Sequence, residues 1–460
     1  MSEPRYYILR EDWQLRGYGN DIQLAYNWKT GKKHFFDETE LTAALMCDGV
    51  TDFASPVIPI ALKRLALRLA ADGVAEECAA GRRLQKGQAF LRAKNSYIDS
   101  LLLSITNRCN FRCRHCFVEA PQGRYGEIPN DKLFSLLDQF AEANVPEVAL
   151  TGGEPFIRPE LPEFLRGLRD RRITFNEIFT NASLLDDAVL DQVEDAGFRP
   201  YFKVSFDCSG SHDYMRGVPG AEEATLRGIR LLRRRGFSVT VITSIDRVVM
   251  NGLDATLDLL ADLGVDNWWM APPMEVGAWR STDSNLDLHE LLPALKGVLK
   301  RWHEVGRPFN LILWRLGSYH REGQAFRGLE MRYDDSSLDC ASAYCLPYVT
   351  PDGVLVPCGS YTGSALAAKM PNLLETPLSE AWDDPILREI CKRTKGEVRA
   401  NNTSCKTCAH FEECGSGCRV SAMLTRGDPM LSDPVCCRLH RGGYMQDFHA
   451  FARGLEAGAR

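Results

Sequence analysis

Cysteine is the residue type whose spacing here could do chemistry. The chain has sixteen cysteines in 460 residues, and eleven of them fall into two regions. The first region is the run Cys109-Asn110-Phe111-Arg112-Cys113-Arg114-His115-Cys116-Phe117. Its C-x3-C-x2-C spacing lets a tight loop wrap one face of an iron–sulfur cubane. A fully ligated 4Fe–4S cluster takes four cysteines. Three local ligands leave one iron open, and an open coordination position marks a reactive centre rather than a structural one, as it does for zinc. The competing reading is a zinc loop or a chance grouping, although zinc sites favour paired C-x2-C knuckles with a fourth local ligand.

A second run, Thr151-Gly152-Gly153-Glu154-Pro155, lies downstream. Glycines let a backbone approach a ligand closely, and a carboxylate pairs with a cation; standing alone, the run would be a common turn. Ser205 and Asp207 close a later strand candidate, Arg216 lies in a His-Asp-Tyr-Met-Arg-Gly run, and Asn181 follows another strand. The second cysteine region begins at Cys340. Cys345 is followed by Gly353 and then Cys358, and further on comes Cys405-x2-Cys408-x5-Cys414-x3-Cys418, with Cys436 seventeen residues beyond. A zinc ribbon built from Cys405, Cys408, Cys414 and Cys418 is the alternative there. Cys47, Cys78, Cys208 and Cys391 are scattered and read as small buried core residues, and Cys437 adjoins a candidate ligand.

The triad and the Gly-Gly-Glu-Pro run together resemble the radical S-adenosylmethionine (SAM) superfamily. The resemblance implies that Cys109, Cys113 and Cys116 hold a 4Fe–4S cluster whose open iron binds the amino and carboxylate groups of SAM. One electron then cleaves SAM to methionine and a 5′-deoxyadenosyl radical, which takes hydrogen from the substrate. It places Phe117 beside the adenine, Gly152, Gly153, Glu154 and Pro155 at the SAM ammonium, and Ser205 and Arg216 at the SAM carboxylate. A loop salt bridge or a capping role is the alternative for the last two. His115 stands where the family usually has an aromatic or other apolar residue.

The tail resembles the SPASM domain, which implies two auxiliary 4Fe–4S clusters. The first would take Cys340, Cys345, Cys358 and Cys418, and the second Cys405, Cys408, Cys414 and Cys436, with Cys437 able to replace Cys436. The step from Cys345 to Gly353 is slightly shorter than usual. Sulfatase-maturing relatives carry Asp after the cysteine matching Cys358, as a proposed base. Here the run is Cys358-Gly359-Ser360-Tyr361, so the resemblance does not extend to formylglycine formation.

These motifs need elements to position them. From residue 100 strand candidates (101–106, 147–151, 176–180, 202–206, 238–244, 267–271) alternate with helical patterns such as 133–143, 163–171 and 221–235. That alternation argues for a parallel sheet. The expected fold is α/β: a partial (β/α)6 TIM-like barrel over 100–285, open at the strand C-termini where barrels bind substrates. Bridging helices are expected over 286–339, and an iron–sulfur SPASM domain over 340–460. The tail is rich in Cys, Gly and Pro, and the reading expects clusters rather than a core to order it.

Residues 1–82 read as a separate module with strands near 6–10, 22–26 and 33–36 and helices near 38–46 and 58–71, followed by a charged linker, 83–99. The module resembles the winged-helix peptide-recognition element of ribosomal-peptide biosynthesis, which binds a leader as an added strand. A winged-helix dimerisation unit is the alternative.

The net charge of -6 gives no nucleic-acid footprint. No apolar run has transmembrane length, the start lacks a signal-peptide apolar region, and a cytoplasmic protein with no membrane partner is expected. The expected function is that of a radical SAM oxidoreductase. It would bind a ribosomal precursor peptide by its leader, take electrons from a flavodoxin- or ferredoxin-like donor, and form an intramolecular thioether or carbon–carbon crosslink. Alternatives are a peptide epimerase, with Cys208 or Cys437 as hydrogen donor, a small-molecule oxidase, and a non-catalytic iron–sulfur scaffold that binds peptides.

Overall fold

The computed structural model describes residues 3–281, 284, 286–322, 332–340, 346–391 and 393–458. The chain opens with β1 (Tyr6–Leu9), β2 (Trp13–Gly17), β3 (Gln23–Asn27) and β4 (Lys33–Phe35). There follow α1 (Glu38–Met46), α2 (Ile60–Ala71), β5 (Ala75–Cys78) and β6 (Leu91–Arg92). β1 pairs antiparallel with β5, and a second sheet has the order β4-β3-β2-β6. An Asp37–Glu40 capping box starts α1, satisfying two orphan N–H groups. Leu9, Trp13, Leu15, Ala43, Ala66 and Leu69 form a core of the module's own.

Three of these strands were not legible as such. β2 and β5 are short and carry charged residues within them, Arg16 in one and Glu76 and Glu77 in the other, which hides the apolar alternation. The stretch 83–99, expected as a linker, contributes β6, paired in parallel with β2 through Arg16 and Leu91. Ala93 and Tyr97 then pack on Tyr18, Leu24 and Tyr26. Helix α2 packs chiefly on α1 and β5, not on the β3–β4 hairpin.

Strands and helices then alternate through β7 (Leu101–Ser104), α3 (Asn130–Glu142), β8 (Glu147–Thr151), α4 (Leu161–Asp170), β9 (Thr174–Thr180) and α5 (Asp187–Asp195). The alternation continues with β10 (Tyr201–Ser205), α6 (His212–Arg216), α7 (Ala221–Arg234), β11 (Val239–Ser244), α8 (Leu253–Leu263) and β12 (Asn267–Ala271). Over 286–339, where bridging helices were expected, the described residues hold one helix, α9 (Leu288–Glu304), and then β13 (Asn310–Leu313) and β14 (Gly317–Tyr319). β13 is only four residues long, too short for a clear strand period.

Strands β7 to β13 lie side by side in chain order and run parallel. At the other edge β15 (Tyr348–Val349) joins β7 in parallel, and the hairpin partners β14 and β16 (Leu355–Val356) end the sheet. Leu101, Leu103, Val148, Leu150, Val204, Val241, Trp268 and Leu311 are fully buried, as strands of a helix-covered parallel sheet should be. Each such aliphatic side chain contributes about 1.5–3 kcal/mol.

A parallel sheet puts all strand C-termini on one rim. The N-terminal module sits at the opposite end. Lys33 Nζ lies 2.6 Å from the Glu147 carboxylate at the start of β8 and 2.8 Å from Asp99. Asn144 Nδ2 donates to the carbonyls of Gly17 (3.1 Å) and Leu91 (3.0 Å), and the Tyr26 hydroxyl meets Pro146 and Thr174.

The tail departs from expectation in one respect. Leu373, Leu378, Trp382, Leu387, Val420, Leu439 and Phe448 are buried in the same core as the barrel, and the last helix, Tyr444–Gly458, packs on α9. Apolar burial therefore orders much of it. The signal was weak because its helices are mostly one or two turns long. Among the described residues no helix is long and apolar enough to cross a membrane.

Candidate active site

β7 ends at Ser104, and the chain passes directly into the loop of Cys109, Cys113 and Cys116. Three neighbouring rim segments grip the backbone of this loop. The Gly153 and Glu154 N–H groups donate to the Thr106 and Arg108 carbonyls, each at 2.8 Å. The Arg112 and Arg114 N–H groups donate to the Arg216 and Met215 carbonyls at 2.9 Å, and the Ala278 N–H to the Cys116 carbonyl at 3.1 Å. A Cβ on Gly152 would stand 2.5 Å from the Thr106 oxygen, and one on Gly153 2.2 Å from the Arg108 oxygen. The paired glycines are thus demanded by the fit of this turn against the cysteine loop itself. Gly277, after β12, does the same from the other side, where a Cβ would lie 2.4 Å from the Cys116 oxygen.

The three thiols share one electrostatic environment. Burial pushes the Cys109 thiol up to about 12, opposed by the Phe111 N–H and reinforced by Cys113, Glu154 and Cys116. Cys113 Sγ faces Arg216 Nη1 at 3.7 Å. The loop supplies its own N–H donors as well, from Phe111 to Cys109 and from Ala120 to Cys116, both at 3.4 Å. Grouped thiols with N–H and guanidinium donors around them suit an anionic iron–sulfur cluster, whose sulfurs take such hydrogen bonds.

The Gly-Gly-Glu-Pro carboxylate is engaged by the rim of the neighbouring strand. Glu154 is buried and accepts from the Thr180 hydroxyl (2.7 Å), the Asn181 N–H (2.8 Å) and the Phe156 N–H (3.3 Å). Burial pushes its carboxyl up to about 7 against these bonds. It ties the rim of β8 to that of β9, and Pro155 begins the short turn that follows.

Arg216 is likewise engaged. Its Nε stands 2.8 Å from Asp207 Oδ2, and its Nη2 donates to Oδ1 at 3.0 Å. Burial would push the Asp207 carboxyl up, yet Arg216 and His212 hold it well below the usual range. The Asp207 N–H donates to His212 Nδ1, and His212 Nε2 lies against the Thr225 hydroxyl. Arg216 thus makes a buried salt bridge with Asp207 and leaves Nη1 facing Cys113 and His115. Ser205 ends β10 beside this pair. Phe117 packs edge-on to Tyr348 at 5.9 Å and against Gly359, joining the cysteine loop to the tail.

A supporting layer went unread in the sequence. Arg158 is buried and donates to the Ile105 and Ile128 carbonyls, while Glu127 accepts from the Thr106 hydroxyl at 2.9 Å. Isolated charged residues between elements give no motif.

In the tail, Cys358 is pushed up to about 12 by burial and then by Cys418 and Cys340. Cys345 lies outside the described residues. A small cavity is walled by Cys405, Cys408, Cys414 and Cys437. Cys436 meets the Cys414 thiol from the side and also Arg315, which pairs with Asp433 at 2.6 Å. Arg315 follows β13, the strand missing from the sequence reading.

Cys418 does not line that cavity; together with Cys340 it bears on the Cys358 thiol. If Cys436 ligates an auxiliary cluster, its serine variant is expected to lose about four irons per chain, one cubane, and serine at Cys437 none, by iron assay after anaerobic reconstitution. The reverse pattern would move the ligand to Cys437.

Residues 103–261 match the radical SAM superfamily model. Among curated proteins the chain is 25% identical over 348 residues to the Fe-coproporphyrin III synthase of Methanosarcina barkeri, covering 72% of this chain and 86% of that one. It is 24% identical over 343 residues to the PqqA peptide cyclase of Granulibacter bethesdensis, covering 73% and 86%. Among solved structures, Streptococcus suis SuiB bound to its precursor peptide SuiA superposes with a TM-score of 0.64 at 16% identity, covering 94% of this chain and 99% of that one. At that identity the likeness concerns the fold. With the cysteine loop and its glycine clamp inside the matched segment, this chain is an enzyme built on a radical SAM domain, the kind that works with a 4Fe–4S cluster and SAM.

Proposed function

We propose that this enzyme modifies a ribosomally made precursor peptide in the cytoplasm, forming an intramolecular thioether or carbon–carbon crosslink. The observation that carries the reading is the N-terminal module. Its sheet ends in β4, paired only with β3, and exposes Phe35 (54% exposed). An unpaired strand edge is a template for an added peptide strand. The likeness to a peptide cyclase supports the same reading, as does a fold shared along nearly the whole chain with a structure that holds a precursor peptide.

When bound, the 4Fe–4S cluster and SAM supply a 5′-deoxyadenosyl radical that takes a hydrogen atom from the substrate. In this reading Cys109, Cys113 and Cys116 ligate the cluster. The backbone of residues 152–155, Phe117, Ser205 and the free edge of Arg216 border SAM. The module at 1–82, with β6 added, acts as a winged-helix leader-recognition domain. The tail, read as a SPASM domain, holds two auxiliary 4Fe–4S clusters, on Cys340, Cys345, Cys358 and Cys418 and on Cys405, Cys408, Cys414 and Cys436. A flavodoxin- or ferredoxin-like protein delivers the electrons. A small-molecule substrate is the second reading, favoured by the likeness to the Fe-coproporphyrin III synthase.

The test uses the strand edge. The Phe36 N–H donates inward to the Gln23 carbonyl, so by alternation the Phe35 N–H faces outward. Phe35→Pro removes that donor without touching the β3 pairing. It is expected to raise KM for the full-length precursor at least about tenfold, about 1.4 kcal/mol of binding, and to leave slow SAM cleavage without peptide unchanged. An unchanged KM would remove the leader site from this edge. A tetrapyrrole that stimulates SAM cleavage where precursor peptides do not would favour the second reading.

A further inference from the structure

We propose that the groove between the N-terminal module and the foot of the barrel binds an oxyanion, a carboxylate or phosphate group. The groove has a volume of about 360 Å³, and its charged lining residues are Arg16, Lys86, Arg171, Arg172 and Asp170. Arg16 is 8% exposed. Its guanidinium donates to the carbonyls of Leu15 (2.8 Å), Ala89 (3.3 Å) and Gly87 (3.3 Å) and to the Gln14 side-chain oxygen (2.7 Å). All four acceptors are neutral. The charged or titratable groups that bear on it are Tyr18, Tyr26 and a second cation, Arg172, and burial pulls it down to about 10. A buried cation ordinarily has a counter-charge, and Arg16 has none among these groups.

Arg172 faces the same space. Its Nη2 donates to the Gln85 side chain at 3.2 Å, while its Nη1 is buried with no hydrogen-bond partner. Asp170, the carboxylate in the lining, lies 3.1 Å from Arg169, and Asp138 takes Arg171 at 2.7 Å. Planar guanidinium forks match the paired oxygens of carboxylate and phosphate. The Nη groups of Arg16 are all spent on those neutral acceptors, so an oxyanion held by Lys86 and Arg172 would satisfy the orphaned Nη1 of Arg172 and bring a counter-charge to the buried Arg16. The groove lies at the strand N-termini, away from the cysteine loop, so this site is separate from the SAM chemistry.

The experiment measures the thermal midpoint of the full-length protein against titrated inorganic phosphate, and in parallel against N-acetyl-aspartate, with chloride at equal ionic strength as reference. Phosphate stabilises many proteins by general exclusion, so the decisive quantity is the saturable rise in wild type minus that in Arg172→Gln and in Lys86→Gln. Lys86 is exposed, so its variant keeps the fold. The expected result is a saturable rise in wild type whose apparent affinity falls at least about tenfold in both variants. The anion with the tighter response identifies the source, free phosphate or an acidic side chain. Equal curves in wild type and both variants, or no saturable rise with either anion, would overturn the proposal. Neither readout involves SAM cleavage or peptide modification, so it stands or falls independently of the proposed function.

Discussion

A variant with alanine at Cys109, Cys113 and Cys116 is expected to cleave no SAM and, with the auxiliary clusters proposed for the tail, to keep the iron bound there. The reason is spatial separation of the thiol groups. The triad sits on the loop after β7 within a collar made by the segments after β8, α6 and β12, and its hydrogen bonds come from Phe111, Ala120 and Arg216. The tail thiols are held by other elements: Cys418 and Cys340 bear on Cys358, and the cavity of Cys405, Cys408 and Cys414 is also lined by Cys437, His440 and Arg441 of the helix Pro434–Arg441. Buried apolar side chains order the tail independently of the triad. If each set fills, iron should fall from about twelve to about eight per chain, at four per cubane. 5′-Deoxyadenosine, read by chromatography under reducing conditions, should disappear. Cleavage surviving in this variant would place the reactive cluster elsewhere.

Gly153→Ala is expected to cost nearly as much activity for the addition of one methyl group. The new Cβ would lie 2.2 Å from the Arg108 oxygen, 2.6 Å from the carbonyl carbon and 2.9 Å from the Cys109 Cβ. Backbone atoms cannot rotate away as a flexible side chain does, so the turn and the cysteine loop must separate. Overpacking of this kind costs about 1–3 kcal/mol of stability, which a folded protein survives. Displacing a reactive group by about 1 Å costs roughly a hundredfold in rate, and Cys109 is the group displaced. The expected outcome is a folded protein with about a hundredfold slower SAM cleavage and reduced iron. Gly297→Ala serves as control, because a Cβ there meets open space on α9. Activity of Gly153→Ala within twofold of wild type would show that the clamp is not required.

The reactive loop was legible because its chemistry is local. Three cysteines within one loop announce themselves without knowledge of the fold, and the Gly-Gly-Glu-Pro run is a contiguous string. What stayed hidden is what the fold assembles from distant segments. Gly277 has no motif around it; its importance arises only because the turn after β12 crosses the cysteine loop. The Glu154 carboxylate was legible as a functional group but not as a tie to Thr180 and Asn181, since that geometry depends on the rim of β9 standing beside the rim of β8. Arg315 lay beyond a strand too short to read. The buried arginine of β2 was hidden within a strand that its own charge disguised.

The placement of the module sets a length requirement. Its sheet meets the barrel at Glu147 and Thr174, where β8 and β9 begin, whereas the cysteine loop lies past their far ends. A parallel strand advances about 3.3 Å per residue, so the five residues of β8 alone separate the two levels by about 17 Å. A peptide held at β4 and reacting at the rim must traverse at least that depth, and more if it passes outside the covering helices. The enzyme would then act as a ruler: residues within about five positions of the held segment are out of reach, and shortening the spacer below that span should protect the nearest residues before affecting distant ones.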